Sequence, residues 1–138
     1  MSSVHKFRGA QTSFDWENAI HKEYAEGAAK GATGKIMIGR DDGAEHFVFR
    51  YFRIEPGGHS TLNDYHAHDH GVMVLHGRAL LSLGEEQFEL GPFDVVYIQP
   101  WEYHHLAALG DEPMGFLCVI PNKEMLVKLQ ELKAPASR

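Results

Sequence analysis

One cysteine, Cys118, in 138 residues leaves no partner for an internal disulfide and fits a reducing compartment. A cluster of Lys and Arg is missing too, and the formal net charge is −6. Nucleic acid and anionic membrane both require a basic patch that displaces counterions, so neither is expected as a partner and a small-molecule substrate is. No stretch of about 18 apolar residues exists that could cross a bilayer. The opening Met-Ser-Ser-Val-His-Lys-Phe-Arg lacks the apolar segment of a secretory signal, and a cytoplasmic protein is the expectation. Repeats and low-complexity tracts are absent, and the length suits one domain.

Short β-like segments punctuated by Gly and Pro are abundant. From Lys35 onward the sequence predicts strands over Lys35–Gly39, His46–Ile54, Gly71–Leu75, Arg78–Leu83, Glu86–Leu90, Asp94–Ile98, His104–Leu109 and Met114–Ile120. Between them stand Arg-Asp-Asp-Gly43, Glu-Pro-Gly-Gly58, Gly77, Gly84, Gly-Pro92, Gln-Pro100 and Gly-Asp-Glu-Pro113. Short strands at such spacing indicate an all-β sandwich or barrel. Met125, Leu126, Leu129 and Leu132 recur at helical spacing after Asn122, a residue suited to an N-cap, and predict a short C-terminal helix. Before Lys35, Phe14, Trp16, Ile20 and Tyr24 fit either an amphipathic helix or an extended arm, and residues 26–34 read as a glycine-rich loop. The expected division is therefore 1–34, arm and linker; 35–121, barrel; 122–138, helix and tail.

The chemistry concentrates in Asn63–Gly77, which holds Asp64, His66, His68, Asp69, His70 and His76 ahead of a Val-rich strand. Alternate residues of an extended strand share a face, so Asp64, His66, His68 and His70 would align with Val72 and Val74 if the segment stayed straight. A face with imidazoles at one end and valines at the other describes the inside of a small barrel. Imidazoles suit Zn, Cu, Fe, Ni or Mn, and three or four leave positions open for water or substrate. His76, beside the closing Gly77, reads as a surface or turn residue. His59 falls in the loop after Gly58, and His105 should point away from the interior.

Pro56-Gly-Gly58, the histidine cluster, Val72-Met-Val-Leu-His-Gly77, Gly91-Pro-Phe-Asp-Val-Val-Tyr-Ile-Gln-Pro100 and His104 follow the order of motifs in the cupins, and residues 35–121 resemble a single-domain cupin. The resemblance implies a double-stranded β-helix, or jelly roll. It also implies a divalent metal held by His66, His70 and His104, with the fourth position contested between His68 and Asp64. In the second motif Phe93, Gln99, Trp101 and Ala108 stand where the family pattern has Gly, Pro, Gly and Asn. The resemblance places Phe116 and Cys118 on the inner face, and Phe49, Tyr51, Tyr97 and Trp101 are aromatic candidates to line the substrate cavity. Homodimers across edge strands are common in small cupins, so a homodimer is expected.

A metal-dependent enzyme on a small organic substrate is the leading functional expectation, of oxygenase type. The alternatives are a metal-dependent lyase or isomerase, with Tyr51, Tyr97 or Glu102 as base, and a non-catalytic small-molecule-binding cupin.

Overall fold

The computed structural model describes residues 2–23 and 28–132, without the side chains of Glu23 and Lys123. Tyr24 and residues 133–138, expected in the arm and the tail, lie outside them. Nine strands are described: β1 (Ile20–Glu23), β2 (Lys30–Ile38), β3 (Phe47–His59), β4 (His70–His76), β5 (Arg78–Leu83), β6 (Glu86–Leu90), β7 (Val95–Ile98), β8 (His104–Leu109) and β9 (Met114–Pro121). One helix, α1 (Lys123–Gln130), follows. No helix of the described residues is long and apolar enough to cross a membrane.

The strands form one curled antiparallel sheet in the order β6-β5-β8-β3-β9-β4-β7, with β2 pairing β3 and β1 pairing β2. Alternation explains its core. Ile54, Val72, Val74, Phe116, Cys118 and Ile120 on β3, β4 and β9 face Ala79, Leu81 and Leu106 on β5 and β8. Helix α1 is capped as its sequence predicts, Asn122 Oδ1 accepting from Met125 N at 2.9 Å. Leu126 packs on the core.

The structure corrects two boundaries. Strand β2 begins at Lys30, so most of the glycine-rich stretch expected as a loop is sheet; Thr33 and Gly34 pair Arg53 and Phe52. Strand β3 runs past Ile54 through Pro56 to His59, because a register irregularity in β2 between Lys30 and Ala32 absorbs the proline. Gly58 is required there: a Cβ on it would lie 2.5 Å from Lys30 O.

Preceding β1, the chain forms an extended arm rather than a helix, with Phe7 bridged to Trp16 and Ala10 to Ser13. Phe14 and Trp16 pack on Tyr51, with ring centroids 5.9 and 5.3 Å away. Arg53 Nε donates to Thr12 O at 2.7 Å and Lys35 Nζ to Phe14 O at 2.9 Å, tying the arm to the outer face of the sheet.

His76 is a further correction: at 7% exposure it is buried. Strand β4 shifts register against β9 between Val74 and His76, turning the imidazole from the core face to the arm side. Its ring packs at a tilt against Phe14, with centroids 4.7 Å apart. Tyr51 O–H donates to Nε2 at 2.5 Å, and Nδ1–H donates to Pro113 O at 3.3 Å. Burial pushes the Tyr51 hydroxyl up to about 12 and lowers the pKa of His76, so both stay neutral.

Candidate metal centre

The segment between Asp64 and His70 is not straight. Asp64 pairs with His104, its N–H donating to His104 O at 2.9 Å and its carbonyl oxygen accepting from His104 N–H at 3.1 Å. Trp101 N–H then donates to His66 O at 2.9 Å, closing the next loop onto the first. Folding the chain this way breaks the alternation expected across Asp64–His70. Three imidazoles converge, and the fourth is set aside.

Those three are His66, His70 and His104, one ring nitrogen from each lying within 4.8 Å of the others. His104 Nδ1–H donates to Glu102 O at 2.7 Å and His66 Nδ1–H to His68 O at 2.9 Å. Carbonyls only accept, so both rings carry their proton on Nδ1 and present the Nε2 lone pair. His70 Nδ1 lies 3.2 Å from Cys118 Sγ. His70 Nε2 and His104 Nε2 stand 3.0 Å apart. That separation suits two adjacent ligands of one ion bound at about 2.1 Å each.

Protonation favours the same reading. Burial, reinforced by His104 and the other imidazoles, pushes His70 down to about 3. Burial also lowers His104, outweighing the Glu102 carbonyl and the Asp64 carboxylate, which both favour its charged form. Metal ligands must be deprotonated, and this site keeps His70 and His104 neutral at pH 7. His66, His70 and His104 can hold a divalent metal.

Asp64 and His68 stand differently toward these three rings. Asp64 Oδ2 lies 3.4 Å from His66 Nε2 and 3.6 Å from His104 Nε2. Burial raises the Asp64 carboxyl, but the His66 contact and the surrounding imidazoles outweigh it and hold the group below the usual carboxylate range. His68 instead lies flat against His66, with centroids 3.7 Å apart and planes within 3°, and is not among the three converging nitrogens. His59 ends β3, and His105 alternates away from His104 on β8 as expected.

Beneath the imidazoles lies a cavity of about 140 Å³. His70, His104 and Asp64 stand at its polar end, and Val72, Ile98, Leu106, Phe52 and Phe116 supply its apolar wall. Of the six expected pocket residues, Phe116 and Cys118 line it. Phe49, Tyr51, Tyr97 and Trp101 do not. Phe49 and Tyr51 sit on the opposite parity of β3, and Tyr51 faces the arm. Tyr97 is 65% exposed on β7 and donates to Asp69 Oδ2 at 2.8 Å. Trp101 packs at a tilt against Tyr65, 5.2 Å between centroids. The inner residues of β3 are Arg50 and Phe52, and the sequence reading passed over both. An arginine among aromatic neighbours on the parity of Ile54 was the available signal; Ser60 and Thr61, also in the lining, give none.

Cupin-domain sequence statistics match residues 50–120. The chain belongs to the cupin family. It is 34% identical to 1-methylthio-D-xylulose 5-phosphate methylsulfurylase of Rhodospirillum rubrum over 117 residues, 83% of this chain and 73% of that one. A crystal structure of a cupin-2 domain protein from Rhodospirillum rubrum superposes with a TM-score of 0.74 at 29% identity, covering 95% of this chain and 84% of the other. The polyketide cyclase RemF of Streptomyces resistomycificus superposes with a TM-score of 0.69 at 28% identity, over 83% of this chain and 78% of its own.

Two of the four departures in the second cupin motif have a physical account. Phe93 and Trp101, which replace family glycines, both keep positive φ, at 72° and 62°. The backbone retains the glycine conformation at a strain of about 1–2 kcal/mol each. The turn that delivers His104 is thus preserved although its glycines are not.

Proposed function

We propose that this cupin is a metal-dependent enzyme that activates an oxygen-bearing small organic substrate in the cavity beneath His66, His70 and His104. The observation that carries the reading is the bare Nε2 set at the mouth of a largely apolar cavity, two of its rings fixed by Nδ1–H bonds to carbonyls. A bound divalent ion would supply Lewis acidity and polarise a substrate oxygen. Asp64, rather than His68, belongs to the working site, and two contacts under 4 Å support that choice. Its ionised carboxylate completes the donor set and is the group in the lining able to accept a substrate proton. Tyr51, Tyr97 and Glu102 are absent from that lining. Val72, Ile98, Leu106 and Phe116 exclude water from the substrate.

Lyase, isomerase or group-transfer chemistry is favoured over oxygenation. The related proteins carry a methylsulfurylase and a cyclase activity by name. Cys118 Sγ, 3.2 Å from His70, is an oxidisable group poorly placed beside an oxygen-activating metal. The exposed apolar residues Phe93 and Val95 near and on edge strand β7, 73% and 68% exposed, support a homodimer, which sedimentation would test. Elemental analysis of the purified protein, followed by oxygen-uptake and turnover assays with Zn and with Mn or Fe, tests the reaction class. Turnover with Zn and no oxygen uptake is expected; oxygen consumption confined to Mn or Fe would restore the oxygenase reading.

A further inference from the structure

The cavity contains a cation that the metal centre does not use. Arg50 lies opposite Cys118 in the β3–β9 register and lines the same cavity as His70 and His104. Its Nη2 donates to Cys118 Sγ at 3.3 Å, and its guanidinium carbon lies 4.8 Å from the Phe52 ring centroid. Its Nε is shut off from solvent without an acceptor. Among the described residues no carboxylate forms an ion pair with it. A guanidinium offers five N–H donors, and sulfur is a weak acceptor. Holding such a fork under-satisfied beside an apolar wall is costly, whereas an incoming anion would satisfy it with charge-assisted bonds.

We propose that Arg50 is a specificity-determining residue that binds an oxyanionic group of the substrate, a carboxylate or phosphate, while another substrate oxygen faces the histidines. The inference rests on the functional reading above and narrows it to anionic substrates. Arg50 Nη2 and His70 Nδ1 reach the same sulfur, at 3.3 and 3.2 Å, and Arg50, His70 and His104 line one small cavity, so one small molecule can meet both the guanidinium and the metal-facing side. The cavity of about 140 Å³ agrees with a short reacting end rather than an extended chain. Ser60 Oγ accepts from Leu106 N at 2.8 Å, and its free hydroxyl hydrogen can add a donor from the facing wall.

Calorimetric titration with glycolate, inorganic phosphate and the uncharged analogue hydroxyacetone tests this on the parent protein, both metal-loaded and EDTA-treated. Binding of at least one anion and neglect of hydroxyacetone are expected. Preference between glycolate and phosphate identifies which oxyanion the site takes. Arg50→Gln should weaken that binding roughly tenfold to a hundredfold with metal content unchanged, and Arg50→Lys should recover part of it. Undiminished anion binding in Arg50→Gln, equal binding of hydroxyacetone, or no anion binding by the parent would overturn the proposal. Loss of the metal reading alone would appear as a protein that binds no metal yet still discriminates the anions through Arg50 when EDTA-treated.

Discussion

His70 and His76 stand at the two ends of the same strand, and their surroundings differ in one decisive respect. His76 has a partner on each ring nitrogen, Tyr51 O–H on Nε2 and Pro113 O on Nδ1, and Phe14 covers its ring. Such an imidazole is fully used, and it serves to hold the arm on the sheet. His70 faces another imidazole nitrogen, His104 Nε2, at 3.0 Å, and His66 joins them. Two lone pairs brought that close are stabilised by a shared cation. Both histidines are buried or partly buried with lowered pKa values, so neither property distinguishes structure from function. What distinguishes them is whether the protein itself supplies a donor to the nitrogen.

The largest expected effect tests this division directly. His104→Ala and His70→Ala should abolish metal binding by elemental analysis, and the melting temperature should stop responding to added metal. In the parent protein, metal at a hundred times its dissociation constant should add about 2.7 kcal/mol of stability. His76→Ala should keep a full metal complement yet lose about 1–3 kcal/mol in urea unfolding, since Tyr51 O–H is left buried without a partner. Metal loss in His76→Ala, or retention in His104→Ala, would break the comparison.

A smaller effect sharpens the structural half. Tyr51→Phe removes the donor to His76 Nε2 while preserving the ring against Phe14 and Trp16. Destabilisation of about 1–2 kcal/mol with unchanged metal content is expected. Gly115→Ala should have a similar outcome by another route, because a Cβ there would run into the His76 ring.

Eight of the nine described strands, the C-terminal helix with its Asn122 cap, and the trio His66, His70 and His104 were legible in the sequence, whereas β1 fell within the expected arm. Local signals suffice for these: alternation, Gly and Pro punctuation, and a motif whose spacing survives. Harder to read were features set by contacts between segments. The exile of His68 follows from the Asp64–His104 pairing and the Trp101–His66 bond, neither of which has a sequence pattern. The burial of His76 follows from a register shift against β9. Arg50 was missed because the aromatic residues on the other parity of β3 look like a better cavity lining, and the arm claims that face instead.

At the metal centre's disputed corner, Asp64→Asn should weaken metal binding about 10- to 100-fold, the range typical when a group supporting a metal site is lost. His68→Ala should cost less, since it removes a stacked ring and leaves the donor set intact. Titration with a competing chelator measures both; a larger loss in His68→Ala would return the fourth position to that histidine.

Acid sensitivity is the finest test, because the two regions should separate only when metal is present. Folding holds His70 at about 3 and His68 at about 4, against an ordinary value of 6.5. Between those values the unfolded chain binds more protons, so the stability of the EDTA-treated protein falls as pH drops below about 6.5, by up to about 1.4 kcal/mol per pH unit for each such histidine. His76 adds the same sign, whereas Asp42 raises His5 and opposes it. Asp15 and Asp42, held at about 2, add an acid loss only below the ordinary carboxylate value of 3.8. The window from about pH 4 to 6.5 therefore belongs to histidines. Metal binds only neutral imidazole, so adding it should steepen this slope through the metal-binding rings other than His70, which is already neutral across the window, and leave the contribution of His76 unchanged. Urea unfolding at pH 7, 6 and 5, with and without metal, reads the difference. A slope in the parent that ignores metal, or one in His104→Ala that responds to it, would mean that the bare nitrogens are not what sets the two regions apart.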